Sequence, residues 1–551
     1  MGFITFCALQ RSGKEWSTMK LLKKGVCIAL AAALLSAGSG CGKVNNVSEE
    51  FKTDGKYPMD TDVTLRVWCS FTPTNQLTSM NDTEFKKYLE EATGVKIKFE
   101  HPPVGSADAF RLLMASDDIP DIVITHWRSS AIDEYVDTGA IEDMTPYIEG
   151  GVMPNLKKIM DEHEDYKKMT LSPGGRYVYA PMILGDDILR SYRSYCIRKD
   201  LLEKAGLESP ETIDEWENVL LTFKNMGVKI PLTLSLGYNA ATEGQFTNPF
   251  GFMGDFYRDG ETVKFGFKED GYKDYVARMK KWYEMGILDN NFMDASTTRI
   301  SQIITSGDCG AFYANVGGGL GTYSNAVSKE SGIEFDAAKI PVLNKGDKPQ
   351  FNQTQYRVHG VGATISANSK YKEIAARVID YGYSEEGQRL WNFGKEGVSY
   401  TMEKDENGDL YPKYTELITD PEKRGNGVSM SQALIKYACV GNPVSVQSKY
   451  YLLQVNNTPA QRKFLEYANG TDIDDHILPP VFLSEDEEKK VNDLMSPIRT
   501  YVDETMVKLI AGKIDFEKGI KEHYETLDKL KIDEVIKIYQ DAYDRYKKIN
   551  E

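Results

Sequence analysis

VTLRVWCSFTPTNQLTSMNDTEFKKYLEEATGVKIKF, residues 63–99, sets the fold class. Val63 to Trp68 alternates apolar and polar residues as a half-buried strand does, and Val95 to Phe99 repeats the pattern. Between them Glu84 to Thr93 reads as a helix that stops at Gly94, the residue best able to take a left-handed C-terminal cap. Strand, helix, strand in this order predicts an α/β architecture.

The same grammar continues outward. Ala109 to Ser116 is helical, and Asp118-Ile119-Pro120-Asp121 leads into the apolar run Ile122, Val123, Ile124, a strand buried on both faces. A short helix over Ala131 to Thr138 stops at Gly139. Tyr177 to Met182 and Ser194 to Arg198 read as strands, and Lys199 to Ala205 as a short helix. Thr212 with Glu215 forms a capping box for a helix through Asn225. Lys273 to Met285 carries Tyr275, Met279, Trp282 and Tyr283 on one helical face, which marks Trp282 as core. Gly307 to Gly319 reads as a buried strand opening into a glycine loop. Gly360 to Ser366 is strand-like, Tyr371 to Tyr381 is an amphipathic helix, and Asn407-Gly408 marks a hairpin. The C-terminal part is mainly helical: Ser484 and Glu487 make another capping box, and Val535, Ile536, Tyr539, Ala542, Tyr543 and Tyr546 share one face of a terminal helix. No repeat of solenoid length is visible.

A chain of 551 residues exceeds the roughly 250–300 at which one core stops growing, so at least two lobes are expected. The N-terminus reads as an export signal. Lys20, Lys23 and Lys24 precede the apolar run Val26 to Leu35, too short to span a bilayer, and small residues lead from Ala37 into Cys41. Met19 is the expected start. This ending resembles a bacterial lipobox, whose cysteine is diacylated and becomes the first mature residue; Gly38 stands where that pattern has leucine. The alternative is an ordinary secretory signal cut near Gly40, with Cys41 incidental. Residues 1–40 are thus a signal peptide and residues 41–62, polar and turn-rich, the anchor and tether. Five basic residues and one acidic residue lie in residues 1–40, so their removal takes the formal charge from -16 to -20. Nucleic acid and anionic lipid, which need clustered cations, are poor partners for such a body. Beyond Cys41 the chain holds Cys69, Cys196, Cys309 and Cys439, spaced too widely for a disulfide scaffold or a zinc site; buried free thiols are the expectation, with disulfides the alternative.

Several segments in order, SDDIPDIVI (116–124), GAIEDMTPYI (139–148), IRKDLLEKAGLESPETIDEWENVL (197–220), WYEMGILDNNF (282–292), WNFGKEGVSYT (391–401) and IDEVIKIYQDAYDRY (532–546), resemble the family 1 extracellular solute-binding proteins of ABC importers. More narrowly they resemble its large lipoprotein subgroup that serves saccharide uptake in Gram-positive bacteria. The resemblance implies a two-lobed periplasmic-binding-protein-like α/β fold of type II, with a hinge and a helical C-terminal extension. It puts residues 63–180 and about 358–391 in lobe one. Residues 181–357 and about 392–551 fall in lobe two and the C-terminal helices. Ligand would sit in the cleft between lobes that close around it, and an ABC permease would receive it. The receptor would be a monomer on the extracellular face of the cell membrane, held by lipid at Cys41.

The loops placed at that cleft hold what a sugar site needs: rings for the C–H face of a pyranose and polar side chains for its hydroxyls. Phe71 and Asn75 follow the first strand, and Trp127 and Arg128 the buried strand at 122–124. Asp186 and Asp187 follow Pro181, Tyr313 and Asn315 lie at the glycine loop, Tyr356 and Arg357 precede the return to lobe one, and Trp391 and Glu396 complete the set. Trp127, between His126 and Arg128, is the strongest stacking candidate; Trp391 also reads as packing, and Asp186 and Asp187 as a solvated pair. Gly317 to Gly319 departs from relatives that carry a stacking aromatic near that loop.

Catalysis is not expected: there is no HExxH, G-x-S-x-G, Walker or G-x-G-x-x-G pattern, and no cofactor or metal is implied. Asp405, Asn407, Asp409 and Glu416 fall at positions 1, 3, 5 and 12 of an EF-hand-like spacing, but Leu410 occupies the glycine position, and the hairpin reading is preferred. The competing readings are a receptor for peptides or peptidoglycan fragments, a surface adhesin, and a glycan-active enzyme.

Overall fold

The first strand, β1 (Thr64–Cys69), buries Leu65 and Val67 and turns Arg66 outward, where its guanidinium pairs with Glu100 at 2.9 Å. The computed structural model describes residues 56–73, 77–103, 108–128, 132–234, 236–292, 296–405, 408–425, 428–441 and 444–548. The signal peptide (residues 1–40), the lipidation site Cys41, Asn407 of the EF-hand-like spacing and most of the tether lie outside these residues, as does Asn75. The helix Glu84–Thr93 after β1 begins where Thr83 accepts a hydrogen bond from the Lys86 amide and ends at Gly94, φ 77°. A Cβ there would overlap the Met59 backbone, so both conformation and close approach require glycine.

β1 pairs in parallel with β2 (Lys96–Glu100) on one side and β3 (Ile122–His126) on the other. Two strands from far along the chain complete the sheet. With β4 (Ala180–Leu184), β5 (Arg193–Arg198), β6 (Ile230–Thr233), β7 (Phe256–Asp259), β8 (Thr262–Phe265), β9 (Cys309–Asn315), β10 (Phe335–Ala338), β11 (Val358–Ile365), β12 (Tyr400–Lys404), β13 (Leu410–Tyr414) and β14 (Val446–Gln447) in chain order, the first sheet runs β14-β4-β11-β3-β1-β2. β11 enters between β3 and β4, antiparallel to both. The second sheet runs β10-β5-β9-β6. These are the sheets of two lobes, and the segments 185–192, 339–357 and 448–458 cross between them.

Each lobe has its own core. Around the first sheet pack Phe85, Leu89, Met144, Leu156, Ile374 and Ile379. Around the second, Trp216, Phe246, Tyr275 and Trp282 meet Val491, Met495, Ile498, Val502 and Met506 from the long helix Glu485–Ile510. Its apolar residues recur every three or four positions, and the Ser484–Glu487 capping box fixes its start, as Thr212–Glu215 does for Ile213–Asn225.

Two local features differ from expectation. Residues 392–447 join the first sheet rather than the second: β14 pairs with β4, Val444 enters the first core, and the Cys439 amide donates to the Trp391 carbonyl at 3.0 Å. Their own cluster of Phe393, Tyr400, Tyr414 and Ile418 fastens the β12–β13 hairpin there. The glycine run is no open loop but a wide helical turn, Val316–Gly321, in which a Cβ at Gly319 would overlap Ala314.

Cys69, Cys196, Cys309 and Cys439 are free thiols. Burial pushes Cys309 up to about 12 and Cys69 and Cys196 further in the same direction. Mass spectrometry after brief alkylation should therefore find these three unlabelled in native protein and labelled in denaturant.

Candidate functional site

Where the crossing segments leave the first sheet, they meet the helix Glu164–Thr170, β7, the 474–480 loop and the end of the helix Ile532–Lys547 around a cavity of about 500 Å³. It sits beside the ends of β3 and β11, between groups from both lobes.

Tyr356 forms its inner wall. The phenol donates to the Leu478 carbonyl at 2.8 Å, which ties the crossing segment to the second lobe, and burial raises its pKa. Behind the ring lies Arg128, its guanidinium carbon 5.3 Å from the ring centre. Arg128 extends from the end of β3 and donates to the carbonyls of Val358 at 2.9 Å and Met169 at 3.3 Å, while its buried Nε has no hydrogen-bond partner among the described residues. Deeper still, His126 and His359 sit with ring centres 6.3 Å apart; burial lowers both, His359 to about 4, so both are neutral at pH 7.

The floor is arginine-rich. Arg357 pairs with Asp187. Arg190, 8% exposed, grips Asp474 through two bonds of 2.7 and 2.6 Å and donates from Nε to the Gln355 carbonyl at 2.9 Å. That grip holds the Asp474 carboxyl below the usual carboxylate range. Arg258, on β7, donates to the carbonyls of Ile477, Asp474 and Gly260. Tyr543, Tyr546 and Lys547 close the rim from the terminal helix, with the Tyr546 phenol pushed up to about 12 by burial.

Of the candidates from sequence, Tyr356 and Arg357 line this cavity, Arg128 backs Tyr356, and Asp187 reaches Arg357. Asp186 caps the 187–189 turn through the Ile188 amide and pairs with Lys449. Tyr313 belongs to a separate group: its hydroxyl donates to Asn352 at 3.1 Å and Arg193 lies over its ring, with the buried Asn315 Oδ1 nearby on the same strand and without a hydrogen-bond partner among the described residues. Phe71 is half-buried against the His101 ring, 5.2 Å away.

Three candidates are corrected. Trp127 is 1% exposed, its ring edge-on to Phe110 at 5.4 Å and its Nε1 donating to the Val123 carbonyl, so it is core and not a stacking platform. Trp391 is buried against Phe85, with ring centres 4.8 Å apart. Glu396 is exposed in the turn before β12, next to Lys395, which pairs with Glu91 on the helix Glu84–Thr93. It is not brought to the cavity. Sequence reasoning missed Lys168, Arg190, Arg258, Asp474 and Lys547, which have no shared local pattern; Tyr543 and Tyr546 were visible only as an apolar helix face.

Comparison with known proteins agrees with this architecture. The fructooligosaccharide ABC transporter substrate-binding protein FusA of Streptococcus pneumoniae serotype 4 is 25% identical over 95% of this chain and 98% of its own. The polygalacturonan/rhamnogalacturonan-binding protein YtcQ of Bacillus subtilis is 24% identical over 69% of this chain and 74% of its own. A crystal structure of an extracellular solute-binding protein from Bifidobacterium longum subsp. infantis superposes with a TM-score of 0.70 at 19% identity, covering 88% of this chain and 99% of that one. The profile described as bacterial extracellular solute-binding protein matches residues 78–389, more than half of the chain, and the protein belongs to that family.

Proposed function

We propose that this protein captures an oligosaccharide or related sugar in the cleft between its lobes and delivers it to an ABC permease. The observation that carries the reading is the cavity where the crossing segments meet both lobes: Tyr356, Tyr543 and Tyr546 offer rings, and charged side chains surround them. Two relatives named for saccharides lend support. In this reading the first lobe consists of residues 63–184 with about 358–391, joined by 392–447, and the second of the residues from 193 to 338 with the C-terminal helices, with 185–192, 339–357 and 448–458 crossing between them. The protein works as a monomer, takes no cofactor and performs no catalysis, and ATP hydrolysis belongs to the transporter. Lipid at Cys41 holds it to the outer face of the membrane, so a Cys41→Ser chain should appear in the medium or retain its signal peptide.

A thermal-shift screen of residues 45–551 against mono-, di- and oligosaccharides, with short peptides alongside, tests the ligand class. Ligand at 100 times its dissociation constant adds about 2.7 kcal/mol to the bound state, enough to move the melting point by degrees. Tyr546→Ala, on the half-buried end of its helix, should weaken the binding of whichever saccharide responds by roughly tenfold, about 1.4 kcal/mol, as read by calorimetry. A response to peptides alone would move the protein to the competing receptor class.

A further inference from the structure

We infer that the cleft selects acidic saccharides, sugar chains whose residues carry carboxylates; this rests on the saccharide reading above. The protein carries a formal charge of -16, yet its cavity is lined by five cationic side chains, Lys168, Arg190, Arg258, Arg357 and Lys547, against two carboxylates, Asp165 and Asp474. Some of that charge is spent internally. Arg190 is matched by Asp474, Arg357 by Asp187, and Lys547 by Glu261 and Asp544.

What remains is positive. Arg258 donates to three carbonyls, and none of its contacts among the described residues is a carboxylate. Arg128, behind Tyr356, donates to two carbonyls and faces a ring, and none of its hydrogen bonds among the described residues goes to a carboxylate. Lys168 has no ion pair among the described residues; Asp165, one turn earlier on its helix, and Asp474, whose charge Arg190 takes up first and Arg357 and Arg258 also feel, are the lining carboxylates set against these three. A neutral sugar needs no such surplus, because its hydroxyls are served equally by uncharged donors and acceptors. A uronate carboxylate accepts a guanidinium's paired N–H groups, and concave walls concentrate the field of unpaired cations while the outer surface repels anions in general. Tyr356, Tyr543 and Tyr546 then hold the sugar rings, which argues for an acidic glycan over a small carboxylate.

Titration calorimetry with trimers of galacturonate, glucuronate and mannuronate, with the methyl ester of each, and with kestose and maltotriose as neutral chains, tests this directly. The esters keep every ring hydroxyl and lose the charge. The expected result is that at least one free acid binds tenfold or more tighter than its ester, with affinity falling as salt rises. Arg258→Gln and Lys168→Gln should each narrow that ratio at least threefold. Arg258 also fastens β7 to the 474–477 loop, so if its variant fails to fold, Lys168→Gln on the rim helix and the salt dependence of the wild type carry the test. Neutral chains binding as well as, or in place of, the acids would overturn the inference and leave the saccharide reading intact. Silence with every saccharide, acidic and neutral, would overturn both.

Discussion

Trp127→Ala should destabilise the first lobe by about 3–5 kcal/mol, the usual cost of emptying a large aromatic site in a packed core. The ring is enclosed by Trp68, Ile119, Val123, Ile132, Ile141 and Tyr179, so no solvent space exists for the site to collapse into cheaply. Its Nε1 bond to Val123 is lost as well, and the vacated carbonyl sits in a buried strand. In guanidinium the unfolding midpoint should fall clearly, and Trp127→Phe should recover much of the difference. Ligand affinity of the folded Trp127→Ala protein should stay close to wild type. An unchanged midpoint with lost affinity would put the ring back in the cleft.

The second large effect lies at Asp380, in the helix Lys372–Tyr381. Its side chain is 1% exposed and accepts from the Leu156 amide at 2.9 Å, the Asn155 side chain at 2.7 Å and the Asn155 amide at 3.3 Å. The helix Pro154–Glu162 has no side-chain cap of its own, so a carboxylate more than 220 residues later serves its first turn. Asp380→Ala strands those donors in the interior and should cost about 2–4 kcal/mol. Burial raises the Asp380 pKa, with the three hydrogen bonds acting against it. The folded protein therefore holds a proton at pH values where the unfolded chain, with an aspartate near about 3.9, has released it. Stability from this group is present below the unfolded value and is lost as pH rises through the folded one. Asp380→Asn removes the titration, so the stability of wild type relative to that variant should fall as pH is raised from about 4 and then level off. A flat difference would show that the carboxyl ionises alike in both states.

Local chemistry was legible and long-range convergence was not. The Gly94 stop, both capping boxes and the apolar run at 122–124 each follow from short-range rules, and β1, β3 and the helices around them stand where those rules put them. Trp127 was misread because Ile122, Val123 and Ile124 form an unbroken apolar strand, so no alternation says which way the next residues point. The strand that fixes its backbone, β11, begins 231 positions later: the Trp127 amide donates to Gly360 on that strand at 2.7 Å. Arg128 was found because it follows a buried strand directly. Arg190, Arg258 and Asp474 were not, because each meets the others only after 184–192, 256–259 and 474–477 have been folded together.

The insertion of β11 between β3 and β4 orders events during synthesis. A chain emerging from its N-terminus presents β3 and β4 with facing edges that cannot be joined until residues 358–365 arrive, and every strand of the second sheet, from 193 to 338, comes first. Those two open edges invite mispairing while they wait. The second core is also unfinished at that point, since it draws on the helix Glu485–Ile510. Neither half can be completed early, and pairings across such sequence separations close slowly. In a chain exported as an unfolded thread, such a delay would lengthen the time during which it can still pass through a translocation channel.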